Sequence, residues 1–180
     1  MIQPMHPIIV NDASCLIDLR KAGLLRVFAQ LPYQLIIPLP VRAFELLDFG
    51  PKDWAILEQA GMQSYDLPPA QVAEVMRVKA THPALSVYDC FCVVTARRHV
   101  NAILLTGDGL LRRIAKDDGQ RVHGVLWVID EIGRLQLTST QNLIMALECW
   151  QADPAVFLPN HEIERRIGTL SRLSGGGSSV

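Results

Sequence analysis

Short, almost wholly apolar runs alternate along this chain with longer segments in which apolar residues recur every three or four positions. PIIV (7–10), QLIIP (34–38) and NAILLTG (101–107) have the length and β-branched content of buried strands, and MQSYDL (62–67) reads as a weaker one, polar enough for a sheet edge. VHGVLWVID (122–130) reads as a further strand. Helical spacing occupies 15–30 with an interruption near Gly23, then 40–49 and 52–61 on either side of a Gly50-Pro51 break. It returns after Pro68-Pro69, in the segment 87–100 that Ser86 opens and Asn101 closes, and in GLLRRIAKDD (109–118). Beyond Thr138 the pattern is helical only, with QNLIMALECW and then HEIERRIGTL after the Pro154/Pro159 break.

Strands that alternate with helices pair in parallel through right-handed crossovers, so the fold class is α/β, a three-layer α/β/α sandwich on a parallel sheet of about five strands. Four acidic residues make a strand order of 3-2-1-4-5 the expected one. Asp12 leaves the first strand and Asp108 the fourth, and for them to meet those strands must be neighbours. The expected organisation is one α/β domain over 1–137, helices over 138–173 packed on it, and a disordered Gly/Ser tail over 174–180.

The other two acids are Glu45, read as two turns into the helix after the second strand, and Asp89, in the first turn of the helix before the fourth. Three of the four lie in sequence that reads as buried, where an unpaired carboxylate is costly. Crowded together they would repel and raise one another's pKa unless a divalent cation lay between them, and Mg²⁺ or Mn²⁺ suits an all-oxygen site. Each acid also has a plainer explanation. Asp12 can cap a helix, Ser86 and Asp89 fit a capping box, Glu45 can pair with Arg42, and Asp108 can cap the helix it precedes.

Composition then narrows the picture. The 180 residues are 49% hydrophobic and 19% charged, enough for one domain with a full core, and the formal charge is −1. Setting the four acids aside leaves 14 against 17 Lys and Arg, a surface of about +3 that permits phosphate binding. Cys15, Cys90, Cys92 and Cys149 lack zinc spacing and read as buried free thiols, which suits a reducing cytoplasm. The opening MIQPMHPIIV lacks the marks of a signal peptide, and no apolar run reaches the roughly 20 residues that span a bilayer. Met62, Met76 and Met145 read as core filling, Tyr88 as a core or rim aromatic, and the five histidines as surface or loop residues.

The succession IIVNDAS, PLPVRAFELL, SVYDCFCVVTARR and ILLTGDGLLRRIA resembles the PIN-domain nucleases, in particular the VapC-like toxin group, over about residues 8–135. HGVLWVIDEIGRL is similar to the later segment of longer members. The resemblance implies an endoribonuclease in which Asp12, Glu45, Asp89 and Asp108 are catalytic and Asp12, Asp89 and Asp108 ligate Mg²⁺ or Mn²⁺. It matches Ser14 and Thr106 to the small polar positions that orient those carboxylates, and the chain has Arg112 where some members carry a further acid. Arg112, Arg113 and Lys116 are candidates for gripping RNA phosphates, whereas Arg97 and Arg98 fit better as cations near a helix C-terminus. The toxin group also implies an antitoxin partner and a homodimer. A receiver domain would want an acidic pair after the first strand, and a haloacid-type phosphatase would want Asp-x-Asp there; neither is present. The remaining alternative is a PIN fold that binds RNA or protein without turnover.

Overall fold

A computed structural model describes residues 6–175. Its centre is a five-stranded, all-parallel sheet in the order β3-β2-β1-β4-β5. The strands are β1 (Ile8–Asn11), β2 (Gln34–Pro38), β3 (Gln63–Tyr65), β4 (Ile103–Leu105) and β5 (Arg121–His123). The helices of the first half are α1 (Ala13–Lys21), α2 (Leu25–Phe28), α3 (Leu39–Phe44), α4 (Pro51–Gln59) and α5 (Pro69–Thr81). Those of the second half are α6 (Val87–Arg97), α7 (Gly109–Asp117), α8 (Val125–Arg134), α9 (Thr140–Ala152) and α10 (Asn160–Gly175). The expected class and strand order are therefore the observed ones.

The central strands are short because both of their faces are covered, and such strands need no polar alternation. Ile9, Val10, Ile37 and the whole of Ile103–Leu105 are fully buried. The register sets Asn11 beside Leu105 and Val10 beside Leu104, so β1 and β4 end level with each other. The turn at Gly23 adopts φ +69°, which stops α1 and lets α2 begin, and Asn101 at φ +59° does the same between α6 and β4.

Three element readings change. The run 122–130 is not one strand: β5 stops at His123, and α8 starts after an extended Gly124. Val125, Val128, Ile129 and Ile132 are the buried positions of α8, and their spacing of i, i+3, i+4 and i+7 is helical, although their β-branched chemistry reads as strand. The helix expected over 40–49 ends at Phe44, leaving Glu45 as its C-cap, because Leu46 and Phe49 turn into the core. Of the expected tail, Ser174 and Gly175 continue α10, and 176–180 lie outside the described residues.

Side-chain placements change too. Met62 is buried, but Met76 and Met145 are exposed, as is Cys149. Cys15, Cys90 and Cys92 are buried free thiols, and burial pushes Cys15 and Cys92 well above the usual thiol range. Arg97 and Arg98 are engaged on the surface, Arg97 by Glu74 and Asp118 and Arg98 by Glu74. Among the described residues no helix is long and apolar enough to cross a membrane.

The C-terminal helices share the core. Leu143, Ala146, Leu147, Trp150 and Ile163 belong to the same buried cluster as the sheet, and Trp150 Nε1 donates to Asp18 O of α1 at 2.8 Å. Trp150→Ala should therefore cost about 3–5 kcal/mol of stability for the whole protein. In urea, far-UV dichroism and fluorescence should shift together to a lower midpoint. An unchanged midpoint, or a separate early transition for the C-terminal helices, would contradict a shared core.

Candidate active site

The site is built on the level ends of β1 and β4. The chain leaves β1 at Asp12, whose backbone N–H donates to Leu105 O at 3.0 Å and whose side chain caps α1 through Ala13 N at 2.7 Å. Its other carboxylate oxygen, Oδ2, accepts from Ser14 Oγ at 2.6 Å and from Thr106 Oγ1 at 2.7 Å. Ser14 Oγ in turn accepts from Gly107 N at 2.9 Å, and Thr106 Oγ1 accepts from Asp108 N at 3.0 Å. Ser14 and Thr106 thus orient Asp12 while tying the start of α1 to the turn after β4. Asp12 is only 5% exposed, so its three donors carry the work of keeping a buried carboxylate satisfied.

Asp108 caps α7, its Oδ1 accepting from Leu111 N at 2.7 Å. Asp89 sits three residues past Ser86 in a capping box: Ser86 N donates to Asp89 Oδ2 at 2.8 Å, and Asp89 N donates to Ser86 Oγ at 3.0 Å. In both residues the capping bond uses one carboxylate oxygen. The other, Asp89 Oδ1 or Asp108 Oδ2, has no protein donor among the described residues.

Glu45 is half-buried, and its Oε2 is shielded from water without any hydrogen-bond partner. It makes no pair with Arg42, which instead stacks over Trp54 at 4.2 Å and binds Glu58 and Ser64. Burial pushes the Glu45 carboxyl up to about 7, with the Asp12 and Asp89 charges adding to the effect. Asp12 is raised as well, by burial first, against the lowering effect of Ser14 and Thr106, with Asp89 adding to the rise. Like-charge crowding therefore links Asp12, Glu45 and Asp89, but desolvation rather than crowding dominates both shifts. Asp108 joins them through the Thr106 hydroxyl.

Among the described residues, no three Asp, Glu, His or Cys side chains converge closely enough to enclose an ion as they stand. The residues present nonetheless fit a hard cation. The donors are all oxygens, Glu45 carries a buried oxygen with nothing to bind, and two further carboxylate oxygens are free of protein donors.

Several features here had no recognisable sign in the sequence. Asn11, fully buried beside Asp12, donates from Nδ2 to Ile36 O of β2 at 3.0 Å, and its Oδ1 has no partner. A side chain built on Gly124 would place its Cβ 2.4 Å from Arg112 Nη1, so the glycine makes room for Arg112 to lie across it toward Thr106 O, 3.4 Å away. Among the described residues Arg112, Arg113 and Lys116 have no carboxylate partner; Arg112 is half-buried and the other two are exposed. His123 is not a loop residue. It ends β5, half-buried, and stacks on Trp127 with centroids 4.5 Å apart.

A family model described as a PIN domain matches residues 8–170, and the chain belongs to that family. No curated protein matches it.

The raised Glu45 carboxyl has a consequence for stability. Its folded pKa lies above its unfolded one of 4.5, so between the two the folded state holds more protons, and stability is lost as pH rises through about 7. Solvent screening of a half-exposed group limits the effect to about 1 kcal/mol. In EDTA, Glu45→Gln should flatten the fall in melting temperature between pH 5 and 8. Parallel slopes for the variant and the wild type would contradict the shift.

Proposed function

We propose that this PIN-domain protein is a divalent-metal-dependent endoribonuclease. One observation carries the reading: a buried, threefold hydrogen-bonded Asp12 lies within electrostatic reach of Asp89 and of a Glu45 oxygen that nothing among the described residues satisfies. A fold that needed these acids only as helix caps would have no use for Glu45, which caps nothing through its side chain.

Asp12, Asp89 and Asp108 would hold Mg²⁺ or Mn²⁺. When bound, the cation supplies charge stabilisation at a phosphoryl oxygen and lowers the pKa of a coordinated water. Ser14 and Thr106 hold the Asp12 carboxylate in one orientation by donating to the same oxygen, which spares the site reorganisation during the reaction. Glu45, with a shielded carboxyl oxygen that has no partner among the described residues, is suited to orient the attacking water. Arg112, free of any acid and pinned beside Thr106, offers a fixed positive charge to a phosphate, with Arg113 and Lys116 on the same helix. RNA is the substrate class in this reading, and its cellular setting is that of a cytoplasmic type II toxin countered by an antitoxin and acting as a homodimer.

The binding-module alternative draws on the separation of the carboxylates, no three of which converge among the described residues. Cleavage of a mixed RNA pool decides between the two. The wild type should be inactive in EDTA and restored by Mn²⁺ or Mg²⁺, and Asp12→Asn from a matched preparation should lose activity by several orders of magnitude. Equal cleavage by both proteins, or none by either with any metal, would leave binding without turnover. Arg112→Ala should retain the metal requirement, weaken RNA binding and reduce its salt dependence by about one phosphate contact.

A further inference from the structure

A cavity of about 430 Å³ opens against the turn after β4, between the β5–α8 junction and the loop joining α9 to α10. Gly107 and Arg112 form its inner side, where it adjoins the turn that carries Asp108. His123 and Trp127 line it as a stacked pair with an interplanar angle of 14°, and Phe157, 91% exposed, stands at its outer side. The one acid lining it, Glu162, is bound by Arg165 and Arg166 at 2.6 Å each, so it does not oppose the Arg112 charge.

We propose that this cavity is a nucleobase subsite of the nuclease, in which Phe157 stacks on a base and Arg112 holds the adjoining phosphate. The inference rests on the reading of the carboxylates as a nuclease centre and adds to it the contact that would select and place the RNA strand.

The chemistry favours a nucleic acid over a protein segment. The volume falls within the roughly 300–1,000 Å³ of small-molecule sites, and the lining pairs flat aromatic surface with an acid-free cation. Single-stranded nucleic acids are gripped in this way, by stacking on exposed aromatics along a positively charged track. Lys116 of α7 and Arg121 of β5 lie within electrostatic reach of His123; among the described residues neither has a carboxylate partner. Burial first, and then the charges of Arg121 and Arg112, lower the His123 pKa, so its ring presents a neutral face near pH 7. A fully exposed phenylalanine serves no core, and this one is supplied by the segment between the two C-terminal helices, next to the catalytic edge.

The test separates binding from turnover. Binding of a fluorescent single-stranded hexaribonucleotide, and of an abasic hexamer with the same phosphates, is measured by anisotropy in EDTA. Cleavage of the first is measured with Mn²⁺. Phe157→Ala should weaken binding of the base-bearing oligomer about tenfold and leave the abasic one unchanged, while Phe157→Trp should restore it. Arg112→Ala should weaken both. Under turnover, Phe157→Ala should raise KM and leave kcat near the wild-type value. Wild-type protein that cleaves RNA while Phe157→Ala matches it in binding and KM would overturn the subsite and spare the nuclease centre. Wild-type protein that binds with the expected base dependence but never cleaves would overturn the centre and spare the subsite. If Phe157→Ala instead leaves RNA binding intact and abolishes self-association in sedimentation, the face is a protein contact and the subsite is overturned.

Discussion

Everything at the carboxyl edge of the sheet depends on satisfying one buried acid, Asp12. Removing a carboxylate from water is costly, and no cationic side chain lies in contact with it to offset the cost. Its compensation is three hydrogen bonds, two of them from hydroxyls whose own acceptor capacity is spent on the turn after β4. The same atoms thus satisfy Asp12, position Gly107 and Asp108, and fasten the start of α1 to the turn after the neighbouring strand β4. The parallel register of β1 with β4 is what allows this. A slip of one residue would move Asp12 off the Leu105 carbonyl and away from Thr106.

That network is neutral in hydrogen-bond terms but not in charge. The Asp12 carboxyl is raised despite three donors, and that of Glu45 nearby is raised with none among the described residues. Adding donors from the protein would have lowered both. The fold instead leaves an oxygen of Glu45 bare in a shielded position, a local cost of the kind proteins retain where a site has a use for it.

The sheet was readable from the residues because its signals are redundant. Apolar runs, glycine and proline breaks and the pairing of Asp12 with Asp108 all demanded one strand order. Asp12 was legible as a carboxylate between an apolar strand and a helix start, whereas Ser14 and Thr106 were legible only through the family resemblance; the hydroxyl bonds that both donate to Asp12 Oδ2 belong to the folded chain. Where one signal stood alone, it misled. The β-branched run after His123 has strand chemistry at helical spacing, and packing chose the helix. Glu45 ends a helix rather than riding within one, because burial of Leu46 and Phe49 overrides the propensity of the residues between them. Gly124 carries no sign in the sequence that its missing side chain is space for Arg112, since that space is made by two elements far apart in the chain.

The same junction explains why the C-terminal helices matter beyond packing. Gly124 lets Arg112 cross toward Thr106, and the extended step at that glycine turns the chain from β5 into α8, which places Trp127 over His123. Trp127 also meets Tyr33 edge-on, and the Tyr33 hydroxyl donates to Glu131 of α8 at 2.9 Å, so α8 is held against the segment that leads into β2. Arg166 of α10 forms a bidentate pair with Asp130 of α8, at 2.8 and 2.7 Å, and fixes the last helix to that element. The loop bearing Phe157 lies between α9, anchored by Trp150 in the core, and α10, anchored by Arg166. An exposed aromatic held between two such anchors loses little conformational freedom on meeting a flat ligand. The helices that follow the sheet therefore close the core and, with the same contacts, fix both ends of the segment that carries the exposed Phe157.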